Sequence, residues 1–364
     1  MKTTTIGFIG LGLIGGSIAR GLKRTNPALT IMAYMRTKSK LEKAKKEGII
    51  DIILNGIDES LSLCDMIFLC TPVDFNAAYL KEIRPYLKPG AIITDVGSTK
   101  TSIHKIVTEL GMDDVFVGGH PMAGSEKTGY ENSTDHLLEN TYYIISPTRK
   151  NTPEQIERVK EIALSLRAIP LILDHEEHDF SVAAISHLPH LIASSLVNLI
   201  RDNDGENETM RRIAAGGFKD ITRIASASPV MWEQICMANT ENLKILMRRY
   251  IESLESIYKD LDSNNGKAIF DLFDESAQYR DTFSSSKRGP INTSHSFSVD
   301  VIDEPGSIAI LSAILAARGI NVKNIGINNV REEGEGALRI EFYSERNKQD
   351  AADLLKRYNY NLSR

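Results

Sequence analysis

Cysteine is scarce in this chain. Its 364 residues hold three, Cys64, Cys70 and Cys236, an odd number with no CxxC spacing. That excludes a disulfide framework and a thiolate zinc site, and free thiols fit a reducing cytosol, the expected location. A charge excess is also missing. The 43 basic residues against 48 acidic leave a formal charge of −5, which argues against a nucleic-acid surface. Long hydrophobic runs are absent: Phe8 to Ala19 is too short for a membrane span and is broken by glycines. It does not read as a signal peptide, because a structured motif has begun by Gly10. No long internal repeat stands out. Tryptophan occurs once, at Trp232, and core packing is its default role. What is present, 42% hydrophobic and 25% charged residues, suits a globular protein of two or three domains.

The first part alternates short apolar runs with helical patterns. Thr5 to Ile9, Ile31 to Met35, Met66 to Cys70, Ala91 to Asp95 and Val115 to Val117 read as buried strands. Lys38 to Glu47 reads as a helix ended by Gly48. This alternation implies right-handed βαβ units and a parallel sheet. Tyr142 to Ser146 and Ile169 to Leu173 add two strands around a helix opening at Pro153. The expected nucleotide-binding domain is 1–174. From His175 helices take over, giving an all-α domain over 175–283. Within it Leu243, Met247, Tyr250, Leu254, Ile257 and Leu261 form a heptad-like seam, fit for internal packing or a dimer interface. Polar, breaker-rich residues mark 284–295 as a linker. The last module, 296–364, reads β-α-β-β-α, a ferredoxin-like order. Its pieces are a strand through Phe297, Val299 and Val301, a helix Ile308 to Arg318, strands Ile320 to Val330 and Leu338 to Tyr343 around a turn Glu332 to Gly336, and a helix Lys348 to Arg357. A fourth strand has only Tyr358 to Arg364 to occupy.

Two segments carry chemistry in the first domain. Gly10-Leu11-Gly12-Leu13-Ile14-Gly15 follows the first strand and opens a helix. Gly10 permits the tight turn, Gly12 lets a pyrophosphate approach the backbone, and Gly15 allows close helix packing. The strand after it ends in Met35-Arg36 where an acidic residue would hold the ribose hydroxyls of NAD. Arg36 can instead meet the 2′-phosphate of NADP, stack on adenine, or face solvent. Gly118 to Glu126 contains His120 and follows a predicted strand, so His120 is expected at the carboxyl edge of the sheet, with Ser98 from Thr94 to Lys100 on the same rim. A histidine beside a hydroxyl suits general-base work near neutral pH, and a turn-capping histidine is the plainer alternative.

The helical part adds Ser186-His187-Leu188-Pro189-His190 and Gly216-Gly217-Phe218-Lys219-Asp220-Ile221-Thr222-Arg223. The His187/His190 pair lacks a third ligand, so no metal is expected. Arg223 presents a fork suited to a carboxylate, or an ion pair with Asp220 at i, i+3.

These segments, taken in order over essentially the whole chain, resemble prephenate dehydrogenase, the tyrosine-biosynthesis enzyme, in its form with a C-terminal ACT domain. The resemblance rests on the motifs beginning at Gly10, Thr94, Gly118, Ser186 and Ala215. It implies oxidative decarboxylation of prephenate to 4-hydroxyphenylpyruvate, with hydride transfer to NAD as the family default and NADP left open by Arg36. It implies that His120 accepts the proton of the C4 hydroxyl and that Ser98 orients His120 near the nicotinamide. Arg223 then binds a substrate carboxylate, His190 places the substrate, and Glu126, Asp220 and Trp232 line or support the site. Leu13, Ile14, Thr71 and Pro72 join the glycines at the cofactor. Asp303, Pro305 and Gly306 stand at the first strand–helix turn of the ACT-like module, where amino acids bind such domains; this implies feedback inhibition by L-tyrosine. A homodimer is implied, and no fused chorismate mutase is expected, as no helical domain precedes the first strand. Three rivals remain. Arogenate dehydrogenase would use the same residues on the amino-acid analogue. A hydroxyacid dehydrogenase would rely on a lysine, for which Lys219 is the candidate, and would leave His120 unexplained. A sensor without turnover would be expected to lack His120 or Arg223.

Overall fold

The computed structural model describes residues 4–124, 127–285, 295–302, 304–330 and 335–363. Glu126 and Asp303, expected at the substrate and regulatory sites, lie outside these residues, as do 286–294 of the expected linker and 331–334 of the expected hairpin turn. The chain separates into two compact units, Met1–Asn265 and Gly266–Arg364.

The first unit begins with β1 (Thr5–Ile9), α1 (Leu13–Thr25), β2 (Thr30–Tyr34), α2 (Lys38–Lys46), β3 (Ile52–Ile53), β4 (Met66–Leu69), α3 (Val73–Ile83), β5 (Ile92–Asp95) and α4 (Thr101–Glu109). The strands form one parallel sheet in the order β3-β2-β1-β4-β5. The order reverses between β1 and β4, and ligands of such sheets bind at the carboxyl edge beside that reversal. Side chains alternate across the sheet. Ile6 and Phe8 enter one apolar layer, where Phe8 stacks on Phe68 at 5.0 Å and Ile18 and Leu22 of α1 cover them. Ile9, Ile67, Leu69 and Ile93 enter the other, under Leu80 of α3 and Ile103 and Val107 of α4. Each such fully buried side chain contributes about 1.5–3 kcal/mol. Helix α2 ends as its Gly48 predicts, in the left-handed region at φ +73°, with Ile49 N–H returning to the Ala44 carbonyl. The two-residue strand β3 was not expected, since its apolar run is too short to show a period.

The next elements are β6 (Val117–Pro121), β7 (Tyr142–Pro147), α5 (Pro153–Ser165) and β8 (Ile169–Ile172). Here the structure corrects the expected fifth strand. Val115 to Val117 is not a strand of the parallel sheet; only an isolated bridge joins Phe116 to Ile93. The strand starts at Val117, runs through His120, and pairs antiparallel with β7 in a separate sheet ordered β6-β7-β8. Gly118-Gly119-His120-Pro121 carries little intrinsic strand preference, so pairing with Tyr142–Pro147 decides its conformation. Helix α5 opens with a capping box between Thr152 and Gln155, ahead of Pro153.

The helical part comprises α6 (His175–Val182), α7 (Leu188–Asn203), α8 (Thr209–Ile213), α9 (Gly216–Thr222), α10 (Pro229–Ala238) and α11 (Thr240–Asp262). Helices α6 and α7 are continuous through a π-helical turn, Ala183–His187, where Leu188 N–H reaches the Ala183 carbonyl five residues back. Pro189 follows directly and has no N–H to give, which is where a helix widens. The run His175–Asn203 is long and apolar enough to cross a membrane, a length that sequence inspection did not expect. Buried His178, Asp179 and His187 interrupt it, and Asp179 bonds the start of α4, so the run is built into this unit. On α11 only Leu243 of the heptad seam is buried; Leu254 and Leu261 are exposed in the single chain.

The polar turn after α11, with Asn264 in the left-handed region, marks the unit boundary. Helix α12 (Gly266–Ser285) therefore groups with the second unit, although the expected helical domain ran to 283. Then come β9 (His295–Ile302), α13 (Ser307–Ala316), β10 (Val322–Val330), β11 (Glu335–Phe342), α14 (Glu345–Arg357) and β12 (Leu362–Ser363). Its sheet is antiparallel throughout, ordered β10-β11-β9-β12. Phe297, Val299, Leu338 and Ile340 pack on Leu311 and Leu315 of α13 and Leu355 of α14. The fourth strand is present and, as the remaining length dictated, has two residues.

Candidate active site

The turn between β1 and α1 is built by absent side chains. Gly10 sits at φ +89°, and a Cβ there would stand 2.7 Å from the Cys70 carbonyl oxygen. At Gly15 a Cβ would press on the Gly10 carbonyl at 2.8 Å, so that glycine lets α1 approach β1 and β4. Nothing stands within 4 Å of the Cβ position at Gly12, the residue capping α1. This leaves an open cradle before a helix N-terminus whose first turn, with Leu13 and Ile14, carries no acidic residue. The chemistry fits a pyrophosphate: free backbone N–H groups and the positive end of the helix dipole. Thr71, whose hydroxyl donates to Asn76 Oδ1 at 2.8 Å, and Pro72, which caps α3, stand at the end of β4 on the same carboxyl edge. At the end of β2, Met35 packs on the core while Arg36 is exposed, its guanidinium carbon 5.3 Å from the centre of the Phe75 ring.

The loop after β5 is stapled from below. Asp95 and Lys100 form a fully buried ion pair. Asp95 also accepts the Gly97 N–H at 2.9 Å and the Gly119 N–H at 3.0 Å. One carboxylate thus closes the loop that carries half-buried Ser98 and ties it to β6. Gly119 is needed for this approach, because a Cβ there would lie 2.6 Å from the Asp95 carbonyl oxygen.

His120 is placed by this arrangement. It belongs to β6 itself, opposite Ile144, and not to a loop beyond the strand. Its side chain is buried, and its Nδ1 lies 2.8 Å from Nε2 of His178. Among the described residues the hydrogen bond that orients His120 runs to His178 and not to Ser98, as the resemblance implied. His178 Nδ1 in turn lies 2.8 Å from Asp179 Oδ1. Burial holds the His120 pKa well below the ordinary histidine value, and the neighbouring His178 and the Lys100 charge push the same way. The ring is therefore neutral near pH 7, the state in which it accepts a proton.

The helical part supplies a second cluster. His190 stacks on Trp232 with ring centres 3.6 Å apart, and its Nδ1 donates to the Ile224 carbonyl at 3.1 Å. Burial, reinforced by the charge of Arg223, keeps its pKa low. Trp232 is therefore half-buried between His190 and the edge of His187, and not a core residue. Its indole N–H is buried without a hydrogen-bond partner among the described residues. His187 faces elsewhere: its Nδ1 accepts from Asn239 Nδ2 at 3.2 Å, and the same amide donates to the Asp179 carbonyl at 2.7 Å. The two histidines of Ser186–His190 do not converge as metal ligands would. Arg223 and Asp220 are exposed in the single chain. Pro305 and Gly306, in the second unit, form an exposed turn, and Gly306 at φ +100° caps α13.

Sequence reasoning passed over His178, Asp179 and Asn239. The only signal for the first two was a histidine followed by an aspartate at the head of an apolar helix, a pattern that also describes an ordinary solvated first turn; Asn239 reads as an ordinary residue before α11.

Comparisons with known proteins agree over most of the chain. Residues 18–169 match the family model described as prephenate dehydrogenase, nucleotide-binding domain, and residues 174–275 match that described as prephenate dehydrogenase, dimerization domain. A prephenate dehydrogenase of Bacillus subtilis is 34% identical, covering 98% of this chain and 96% of its own. One of Lactococcus lactis is also 34% identical, covering 96% and 97%. Among solved structures, prephenate dehydrogenase of Aquifex aeolicus in complex with hydroxyphenyl propionate and NAD+ superposes with a TM-score of 0.72 at 29% identity, over 78% of this chain and 99% of that one. Synechocystis arogenate dehydrogenase gives 0.70 at 28%, over 77% and 100%.

Proposed function

This chain belongs to the prephenate dehydrogenase family, and from that premise we propose that it oxidises prephenate with NAD, with His120 as the base. The observation that carries the assignment is the state of His120: buried, neutral, tied at Nδ1, and borne on a strand stapled to the loop at the carboxyl end of β5. Gly12 at the head of α1 would hold the cofactor pyrophosphate, with Gly10, Gly15, Thr71 and Pro72 shaping the turn around it. When bound, the nicotinamide accepts a hydride from C4 of the substrate. His120 takes the C4 hydroxyl proton as that hydride leaves, and the resulting dienone loses its ring carboxylate as carbon dioxide. The ring becomes a phenolate, which takes the proton back, so His120 ends the cycle neutral. Arg223 pairs with a carboxylate of the substrate, and His190 on Trp232 gives the ring a polar edge on a flat wall. Ser98, on the loop after β5, would face the nicotinamide. The base contributes about 10²–10⁴ in rate, and holding both reactants in one place supplies much of the rest.

The exposed seam of α11, within the stretch matching a dimerization domain, supports a homodimer. The order β-α-β-β-α-β with an antiparallel 4-1-3-2 sheet supports a ferredoxin-like ACT module in the second unit. Its Pro305-Gly306 turn is the proposed approach for L-tyrosine as feedback inhibitor, and a cytoplasmic location fits the reduced thiols. The test is initial-rate nicotinamide reduction with prephenate and with arogenate, with and without tyrosine, in the parent and in His120→Asn. Reduction with prephenate that is lost in His120→Asn supports the reading. Reduction with arogenate alone moves the substrate, and no reduction with either overturns it.

A further inference from the structure

The hydrogen bonds beneath His120 form a closed chain with an anion at its end. His178 is 0% exposed, Asp179 1% and His120 9%. Asp179 sits against the first turn of α4, where its carboxylate accepts the N–H of Lys100 at 2.7 Å and of Thr101 at 2.8 Å. Burial alone would raise the pKa of this carboxyl, but the bonds from His178 and those two amides outweigh it, so Asp179 stays ionised. A carboxylate only accepts, so the proton of His178 is on Nδ1. With one proton per ring, His178 Nε2 then offers a lone pair, and His120 must donate to it from Nδ1. The lone pair of His120 is left on Nε2, the nitrogen turned away from this chain.

We propose that His178 and Asp179 are positioning residues that fix the tautomer of His120 in series, so that Nε2 is the atom that takes the substrate's hydroxyl proton. This rests on the reading of His120 as the base. It adds a reason for the direction of transfer: the charge that His120 gains meets an anion two hydrogen bonds away. The other groups that face His120 act differently. Lys100 is already paired with Asp95, and His187, held by Asn239, brings no negative charge.

Imidazole ¹⁵N NMR on the full-length protein reads the tautomers directly, and steady-state kinetics across pH read their use. The expected spectrum of the parent places the His120 proton on Nδ1. Asp179→Asn, whose amide can donate to His178, should reverse that assignment and lower kcat by about 10²–10⁴-fold, with KM for prephenate little changed. His178→Leu should do the same to kcat. His178→Gln should stay within about tenfold of the parent, because its carbonyl can accept from His120 while its amide donates to Asp179. NAD affinity, measured by direct titration, should be unchanged in every variant. A parent His120 protonated on Nε2 overturns the proposal, as does a His178→Leu protein with parental kcat. If the Leu variant does not fold, the parent spectrum and the Gln variant decide. If His120→Asn itself keeps full activity, the base reading has failed, while the spectrum still reports on the tautomers.

Discussion

Replacing Lys100 by methionine would remove the cation of the buried Asp95–Lys100 pair and leave the carboxylate in place. Methionine matches the length of the lysine stem, so packing is nearly preserved and the effect isolates charge. Losing one partner of a buried pair costs about 3–5 kcal/mol, because the other charge is left uncompensated. Asp95 keeps the Gly97 and Gly119 amides, which places the expected loss toward the lower end of that range. At about 2–4 °C per kcal/mol for a unit of this size, a loss of about 3–4 kcal/mol in Lys100→Met should lower its thermal midpoint by roughly 6–16 °C. Adding Asp95→Asn removes the orphaned charge, so the double variant should be more stable than Lys100→Met alone. Both changes are measured by thermal unfolding followed by circular dichroism, with nucleotide binding as a check on the native state. A Lys100→Met midpoint equal to the parent's would refute the argument, as would a double variant whose loss equals the sum of the two single losses.

Three further outcomes follow from the same geometry. His104 and His187 are buried, and burial, the largest cause for each, pulls their pKa values from 6.5 to about 4. The unfolded chain therefore binds more protons than the folded one between those values, so stability is lost as pH falls through 6.5, by about 2 kcal/mol per ring between about pH 7.5 and about pH 5. The Nε2 of His104 has no hydrogen-bond partner among the described residues, so His104→Leu should flatten part of that slope in urea unfolding; an unaltered slope counts against it. Arg36 is exposed just after β2, the position from which an arginine can meet a ribose 2′-phosphate, so Arg36→Ala should raise the Kd for NADP more than the Kd for NAD in fluorescence titrations; equal changes refute the contact. Removing the Arg223 fork should raise KM for prephenate by about 10–100-fold, the worth of hydrogen bonds to a charged group, while kcat changes less; unchanged KM would remove Arg223 from the substrate.

The readable parts of this molecule are those set by neighbours in sequence. The strand at Thr5, the glycine turn after it, the stop at Gly48 and the helix start at Pro153 each depend on a few consecutive residues, and each lies where expected. The strand through His120 does not, because Gly118 and Gly119 serve a contact with Asp95 and not a local preference. Trp232 gave no hint of its partner, as its stacking on His190 joins residues on different helices. His178 and Asp179 were illegible for the same reason. Their meaning comes from residues 58 and 78 positions away, to which nothing in their own segment points.

The π-turn at Ala183–His187 makes one helix serve two directions. Each residue of an α-helix advances about 100° around its axis, and one extra residue in a turn shifts everything after it by that angle. His178 and Asp179, before the turn, are therefore out of phase with His190, after it. Deleting a single residue there would let the helix close into a regular spiral and swing His190 away from Trp232, leaving the pair under His120 where it is. The helix works as a gear with one tooth added, and the number of residues between Val182 and Leu188 matters to the site as much as their identity.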